Sequence, residues 1–376
     1  MQILEKNLCC GCGACAQSCG KNAIAMAQDA NGFLYPQVDE SACVDCGLCK
    51  KACPVLNNKK QPLGKAYAAM AADELRQESS SGGVFTLLAE HILNMGGVVF
   101  GAAFDKKFKL RHIAVEEKAQ LPLLRGSKYV QSETGDCYSQ AKAALAAGRP
   151  VLFTGTPCQI NGLRSFLDKD YENLYCQDII CHGVPAPGVW QKYVDYWENL
   201  EGSRIKSVNF RHKEKGWKGY QLHIEFKNGQ FYGCRAGDDP YMQAFLGDLC
   251  LRESCYSCHA KGEGHTADLT LGDFWGVEQL LPDMFDNKGT SLVLVHTDKG
   301  QKLLDEISSL LSLRSADIDQ ALAFNPAMVR SSSRNKNREK FLAAISNRDF
   351  PKTVNKYRPK HPIRALKAAI KKLIKN

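Results

Sequence analysis

Cys9-Cys10-Gly11-Cys12-Gly13-Ala14-Cys15-Ala16-Gln17-Ser18-Cys19 holds four thiols at C-x2-C-x2-C-x3-C spacing, with Cys10 an extra one. Cys43-Val44-Asp45-Cys46-Gly47-Leu48-Cys49-Lys50-Lys51-Ala52-Cys53-Pro54 repeats that spacing. Two such runs bind two 4Fe-4S cubanes, three thiolates of a run holding one cluster and the fourth ligating the other. The ligand sets expected are Cys9, Cys12, Cys15 and Cys53 for the first, and Cys43, Cys46, Cys49 and Cys19 for the second. The short gaps let one tight loop aim three sulfurs at one cube. The longer step sends the fourth sulfur away along a short helical turn. Gly11, Gly13 and Gly47 sit where the backbone must approach a cluster closely. Zinc sites use two separated pairs of ligands instead, and disulfides are disfavoured without a secretory signal.

Working outward, residues 1–60 form a bacterial ferredoxin-like module. Between its cysteine runs, Ala23–Ala27 and Leu34–Val38 read as short strands around an Asn31-Gly32 turn. Gly20 stands where proline follows the other run. Cys10 is read as a spectator.

The chain has 376 residues, 44% hydrophobic and 24% charged, a composition ordinary for a globular protein of two or three domains. Of its 17 cysteines, eight serve the two clusters, and the rest point to further metal or redox chemistry. No export signal and no apolar run of about 18 residues is found, so a cytoplasmic location is expected. The net charge is +9. Residues 351–376 carry nine basic and no acidic residues, so the preceding body is neutral, which argues against nucleic-acid binding.

After a polar linker, the pattern is mixed α/β. Ala66–Ala71 is a strand. Glu78-Ser79-Ser80-Ser81-Gly82-Gly83 precedes a helix over Val84–Asn94, which reads either as a phosphate-binding helix start or as an ordinary cap. Val98–Phe104 is a buried strand and Asp136–Ala147 a helix. Val151-Leu152-Phe153 runs into Thr154-Gly155-Thr156-Pro157-Cys158, the strand end at which open α/β sheets bind ligands. Leu174–Ile180 ends at Cys181-His182-Gly183, and Trp190–Glu198 is helical. Three antiparallel strands follow, with an Asn228-Gly229 turn.

Cys250, Cys255 and Cys258 are three thiols in search of a fourth. Cys181 is favoured as the partner, with Cys158 as the alternative. The set reads as a third 4Fe-4S cluster, or as structural zinc. His112, His182 and His212 are candidate proton donors, or plain hydrogen-bonded histidines.

Ser79–Gly83, Gly126-Ser127-Lys128-Tyr129-Val130-Gln131, Thr154–Gln159, Cys181-His182-Gly183, and Cys255-x2-Cys258 with Leu271-Gly272-Asp273-Phe274-Trp275-Gly276 occur in that order. Together they resemble the family of coenzyme F(420) hydrogenase/dehydrogenase beta subunits, from about Ala66 to Leu313. The resemblance implies a mixed α/β flavin-binding domain, in parts 66–145 and 146–315, with FAD and at least one 4Fe-4S cluster. It implies that Ser80, Ser81, Gly82 and Gly83 contact FAD phosphates, and that Lys128, Tyr129, Thr154, Gly155 and Thr156 line the flavin site.

The function expected is a flavin- and iron–sulfur-dependent oxidoreductase. It would pass electrons between ferredoxin-type clusters, FAD and an organic or lipid-linked two-electron substrate. The alternatives are an electron relay serving a redox partner protein, an F(420)-dependent enzyme, or a reductase of surface-polysaccharide synthesis. In the tail 351–376, Pro351–Pro362 reads as an extended connector. Beyond it, Ile363, Leu366, Ile370, Leu373 and Ile374 share one helical face opposite Arg364 and Lys367. That face suits a peripheral membrane contact, a helix docked on the protein itself, or an arm for an acidic partner.

Overall fold

The computed structural model describes residues 2–359. Gly13 and Gly47 take left-handed φ values of 77° and 74° and open one-turn helices, Ala14–Gln17 and Leu48–Lys51. Glycine reaches that backbone region without strain. The turn so made draws the first three thiols of each run together and carries the fourth beyond the helix. Strands β1 (Ile24–Gln28) and β2 (Leu34–Val38) pair antiparallel between the runs. Their Asn31-Gly32 turn rests on the helix Pro187–Glu201, whose Gly188 N–H donates to Asn31 O at 2.8 Å.

The main strands are β3 (Lys65–Met70), β4 (Val98–Phe104), β5 (Leu110–Val115), β6 (Val151–Gly155) and β7 (Leu174–Ile179). Three more form an insertion: β8 (Ile205–His212), β9 (Gln221–Phe226) and β10 (Phe231–Arg235). Then come β11 (Leu269–Asp273), β12 (Ser291–Val295) and β13 (Ser312–Ala316). One eight-stranded sheet runs β13-β3-β12-β11-β7-β6-β4-β5. Its centre, β4, β6, β7 and β11, is parallel. Its flanks are antiparallel. Both sequence parts, 66–145 and 146–315, supply strands to it.

Parallel strands buried on both faces read as continuous apolar runs, and β4 and β6 do. Val99 and Leu152 pack beneath the helix Val84–Asn94 through Leu88 and Ile92. Phe100 and Phe153 face the other way, under the helices Cys137–Ala146 and Pro157–Leu167. Ala14 and Ala52 of the N-terminal module join that second layer, so the module is part of the core packing. Between β7 and β11 the chain leaves the sheet to build β8–β10. An aromatic core holds that insertion, with Trp190 and Tyr241 edge to face at 5.0 Å.

The tail departs from its reading. Residues 350–357 form the helix Phe350–Tyr357, with Phe350 and Val354 buried. Pro351 sits in its first turn, where a missing N–H costs nothing. The extended connector is therefore replaced by helix over those residues, and the apolar and basic face from Ile363 lies outside the described residues. Among the described residues no helix is long and apolar enough to cross a membrane.

Candidate functional site

Each N-terminal thiol set converges. Burial, then the charges of Cys9 and Cys53, push the Cys15 thiol up to about 12. Cys53 is raised by burial and by Cys9 and Cys49. Cys49 is raised by burial and by Cys43 and Cys46, and Cys19 packs beside it. Cys53 thus lies near Cys9 and Cys15 of the other run, and Cys19 packs with Cys49, a placement that would allow cubane cross-ligation. Buried thiols that repel one another's ionised forms suit a metal cluster that takes up their charge.

A third thiol site lies inside the body. Cys158 enters at the first turn of Pro157–Leu167, a helix capped by Thr156 and Gln159 in a reciprocal pair. Cys181 follows the end of β7, and Cys255 and Cys258 come from the short helix Glu253–Ser257 and its end. All four line one cavity, with Cys10, Arg252 and Lys261. Burial, then the charges of Cys158 and Cys258, push Cys181 up to about 12. Cys255 is raised by burial and by Cys181. Val184 N–H points at Cys255 Sγ from 3.4 Å. Lys261 Nζ donates to Cys181 O.

The structure brings together both candidates for the fourth ligand, Cys181 and Cys158, and leaves out Cys250. Cys250 is fully buried in the aromatic core, where its carbonyl accepts the Ala186 N–H at 2.8 Å. Its place near the cysteine pair in sequence is undone by the turn at Arg252, whose N–H donates to Val184 O. Among the described residues no three His, Cys, Asp or Glu side chains close tightly enough to hold a single ion. The four thiols surround a lined space instead. Cys10 is not a bystander: its thiol hydrogen-bonds to Cys12 and also meets Cys158, joining the N-terminal module to the third site.

A cavity of about 300 Å³ opens beside it, within the range of cofactor sites. It lies off the carboxyl ends of the parallel strands, lined by Thr154 and Gly155 of β6, Ile179 of β7 and Gly272 of β11. Ile179 lines the thiol site too. Ser80, Ser81, Gly83, Lys128, Tyr129 and Thr156 all face this cavity. Gly82 does not line it. Its N–H already donates to Ser291 Oγ at 3.0 Å, and a Cβ there would stand 2.2 Å from Ala69 O. Gly82 is therefore required for packing rather than as a donor to a phosphate. Gly83 keeps the helix-start role, with a left-handed φ of 85°.

Lys128 Nζ donates to the carbonyls of Leu124, Arg125 and Gly126. Burial lowers it to about 7, while three carbonyl acceptors favour the ammonium form. The balance falls to the charged form, because those acceptors use all its protons. Its first task is to hold the loop that walls the cavity. His112 also lines the cavity, yet burial pushes it down to about 4, so it is neutral at neutral pH. Its ring contacts Thr154 O at 2.9 Å and Ser132 Oγ at 3.1 Å. His182 bonds Asp248 Oδ1 at 2.8 Å, and His212 stacks on His223. None of the three presents a free proton to the cavity.

On the far side of β7, Asp178 is fully buried and raised from 3.8 to about 8, by burial first. Thr270 donates to it, and His296 Nε2 lies 2.9 Å from Thr270 Oγ1. A carboxyl raised on folding binds its proton more tightly when folded. The stability it contributes is complete below about 4 and declines as pH rises to about 8. Asp178→Asn is expected to flatten that decline, by on the order of a few kcal/mol. Thermal unfolding of both proteins between pH 5 and pH 8.5 measures it; parallel curves would contradict the assignment.

The chain is similar to known proteins over both regions. Residues 148–321 match the family model for the C terminus of the coenzyme F(420) hydrogenase/dehydrogenase beta subunit. Residues 8–57 match a 4Fe-4S dicluster domain, and residues 39–95 a second dicluster model. The coenzyme F(420)-dependent sulfite reductase of Methanocaldococcus jannaschii is 26% identical over 319 residues, covering 81% of this chain and 47% of the relative. The F subunit of the F(420)H(2) dehydrogenase from Methanosarcina mazei is 22% identical over 327 residues, 81% of this chain and 84% of that protein. The chain thus spans about half the length of the sulfite reductase. A chain of the F(420)-reducing NiFe hydrogenase complex from Methanosarcina barkeri aligns with TM-score 0.49 at 16% identity, over 75% of this chain and 92% of that one. Through residues 148–321 the chain is similar to the C terminus of coenzyme F(420) hydrogenase/dehydrogenase beta subunits, and ahead of them it is similar to 4Fe-4S dicluster domains.

Proposed function

We propose that the chain is a flavin- and iron–sulfur-dependent oxidoreductase, moving electrons between its N-terminal clusters and an organic two-electron substrate through FAD held in the large cavity. The observation that carries this reading is one of order. The Cys9 set touches Cys158 through Cys10, and the Cys158 site shares Ile179 with the cavity. We assign Cys158, Cys181, Cys255 and Cys258 to a third 4Fe-4S cluster. When bound, clusters supply one-electron relays and a flavin the exchange between one- and two-electron chemistry.

The residues themselves do the holding. The helix start at Gly83 offers N–H groups and the positive end of an eleven-residue helix to a pyrophosphate. Ser80 Oγ accepts from Ser127 N at 2.7 Å and ties the two walls of the cavity together. Tyr129 stacks on Phe245 at 5.0 Å and fixes the inner wall. Deazaflavin stands first among the substrates to try, because both named relatives use F(420) by description. The Methanosarcina mazei relative is described as one subunit of a dehydrogenase, which favours a second reading, in which a partner protein receives the electrons.

FAD should copurify with the protein. A carboxylate at Gly83 would test the phosphate site, but its left-handed backbone would confound the result. Ser80→Asp puts the charge on the same wall without backbone strain. Flavin affinity should fall about tenfold or more, ~1.4 kcal/mol, with iron content unchanged. Equal flavin occupancy in both proteins would move the phosphate site elsewhere. Reoxidation of the reduced protein by F(420), without added partner, separates the enzyme from the relay reading.

A further inference from the structure

The structure assigns Arg252 a tuning role: we propose that its guanidinium raises the reduction potential of the cluster held by Cys9, making that cluster the electron-accepting member of the N-terminal pair. The side chain is fully buried. Nε donates to Cys9 O at 2.7 Å, and Nη1 to Gln131 Oε1 at 3.0 Å. Nη2 donates to Leu34 O at 2.8 Å and reaches Cys9 Sγ at 3.8 Å. None of these partners is a carboxylate. The rings of Tyr35 and Phe33 lie 4.2 Å and 5.3 Å from Cζ. Arg252 also walls the Cys158 site, so it stands between two thiol sets.

A buried cation with no carboxylate beside it is costly unless another anion supplies the countercharge. A cubane held by four thiolates is such an anion, and its negative charge grows by one on reduction. A fixed cation at one of its sulfurs therefore favours the reduced form, as hydrogen bonds and charge at the sulfur tune such centres. Nothing comparable touches the second set among the described residues. Cys46 is exposed and Cys43 half-buried, and the nearest cations in sequence, Lys21, Lys50 and Lys51, are exposed. The electron passes from the Cys43 cluster to the Cys9 cluster, one oxidised and the other reduced, with no bond made or broken. Gly11 serves this placement: a Cβ there would lie 2.7 Å from Nη1.

The proposal rests on the N-terminal cluster assignment and not on the flavin. Its test is a redox titration followed by electron paramagnetic resonance, on the full chain and on Arg252→Gln and Arg252→Lys. In Arg252→Gln the Cys9 cluster should become harder to reduce by at least about tenfold in its reduced-to-oxidised ratio, ~59 mV for one electron. The Cys43 cluster should move less. Arg252→Lys, which keeps the charge but not the fork, should fall between. Unshifted potentials at full iron content would overturn the tuning role alone. Loss of the Cys9 cluster in both variants would make Arg252 a structural tie and overturn it as well. Wild-type protein without two N-terminal clusters would instead overturn the cluster reading.

Discussion

Cys158→Ser is expected to lower the iron content from about twelve atoms per chain to about eight, because one cubane of three loses a ligand. Cys181→Ser, Cys255→Ser and Cys258→Ser should each do the same. Cys250→Ser should keep about twelve, since Cys250 is buried in the aromatic core and does not line the cavity that the other four share. It should lower thermal stability instead, because a hydroxyl replaces a thiol among apolar neighbours. Iron and acid-labile sulfide on anaerobically reconstituted protein decide this. A loss of about four irons in Cys250→Ser, with none in Cys158→Ser, would reverse the ligand assignment. About eight irons with one zinc in the wild type would make the internal site structural.

Asp268→Ala should be among the most destabilising single changes, by about 3–5 kcal/mol. Asp268 is 1% exposed and precedes β11. Its carboxylate accepts from Cys176 N–H at 2.8 Å on β7, from Arg164 Nη2 at 2.9 Å, and from Thr297 Oγ1 at 2.8 Å. Those three contacts bind β7, the helix Pro157–Leu167 and the end of β12 to the strand that carries Leu271 and Gly272 to the cavity. Removing the carboxylate leaves the mostly buried Arg164 guanidinium with its 3.3 Å contact to the exposed Asp170 and without its buried partner. Denaturant unfolding against the wild type measures the cost, and a change under about 1 kcal/mol would show the pin to be redundant.

Much of this site can be read directly from the chain. The paired cysteine runs dictate their loops and one-turn helices, since thiol spacing and glycine leave few other backbones. Strands such as Val98–Phe104 and the helix Val84–Asn94 are legible because both are dense in apolar residues at their own period. What the sequence hides is contact across long separations. Cys158 and Cys181 end neighbouring parallel strands, so sheet order alone makes them partners. Cys250 is turned away by a local bend that no spacing rule contains. Leu110–Val115 escapes notice because Arg111 and His112 break its apolar pattern, although pairing with β4 makes it a strand. Gly82 resembles a phosphate-loop glycine, and only its contact with Ala69 and Ser291 shows it to be a packing position.

In the proposed reading the internal thiol set is the passage between the N-terminal clusters and the cavity. The most direct measurement is the rate of flavin reduction when electrons are delivered to the N-terminal clusters by a reduced ferredoxin, in FAD-loaded wild type and in FAD-loaded Cys181→Ser. Photoreduction of the flavin itself serves as a control in both. The ferredoxin-driven rate should fall by about a hundredfold or more in Cys181→Ser, as expected when a relay is lost from the path, while photoreduction is unaltered. Equal ferredoxin-driven rates in the two proteins, with the internal cluster absent from the variant, would contradict it.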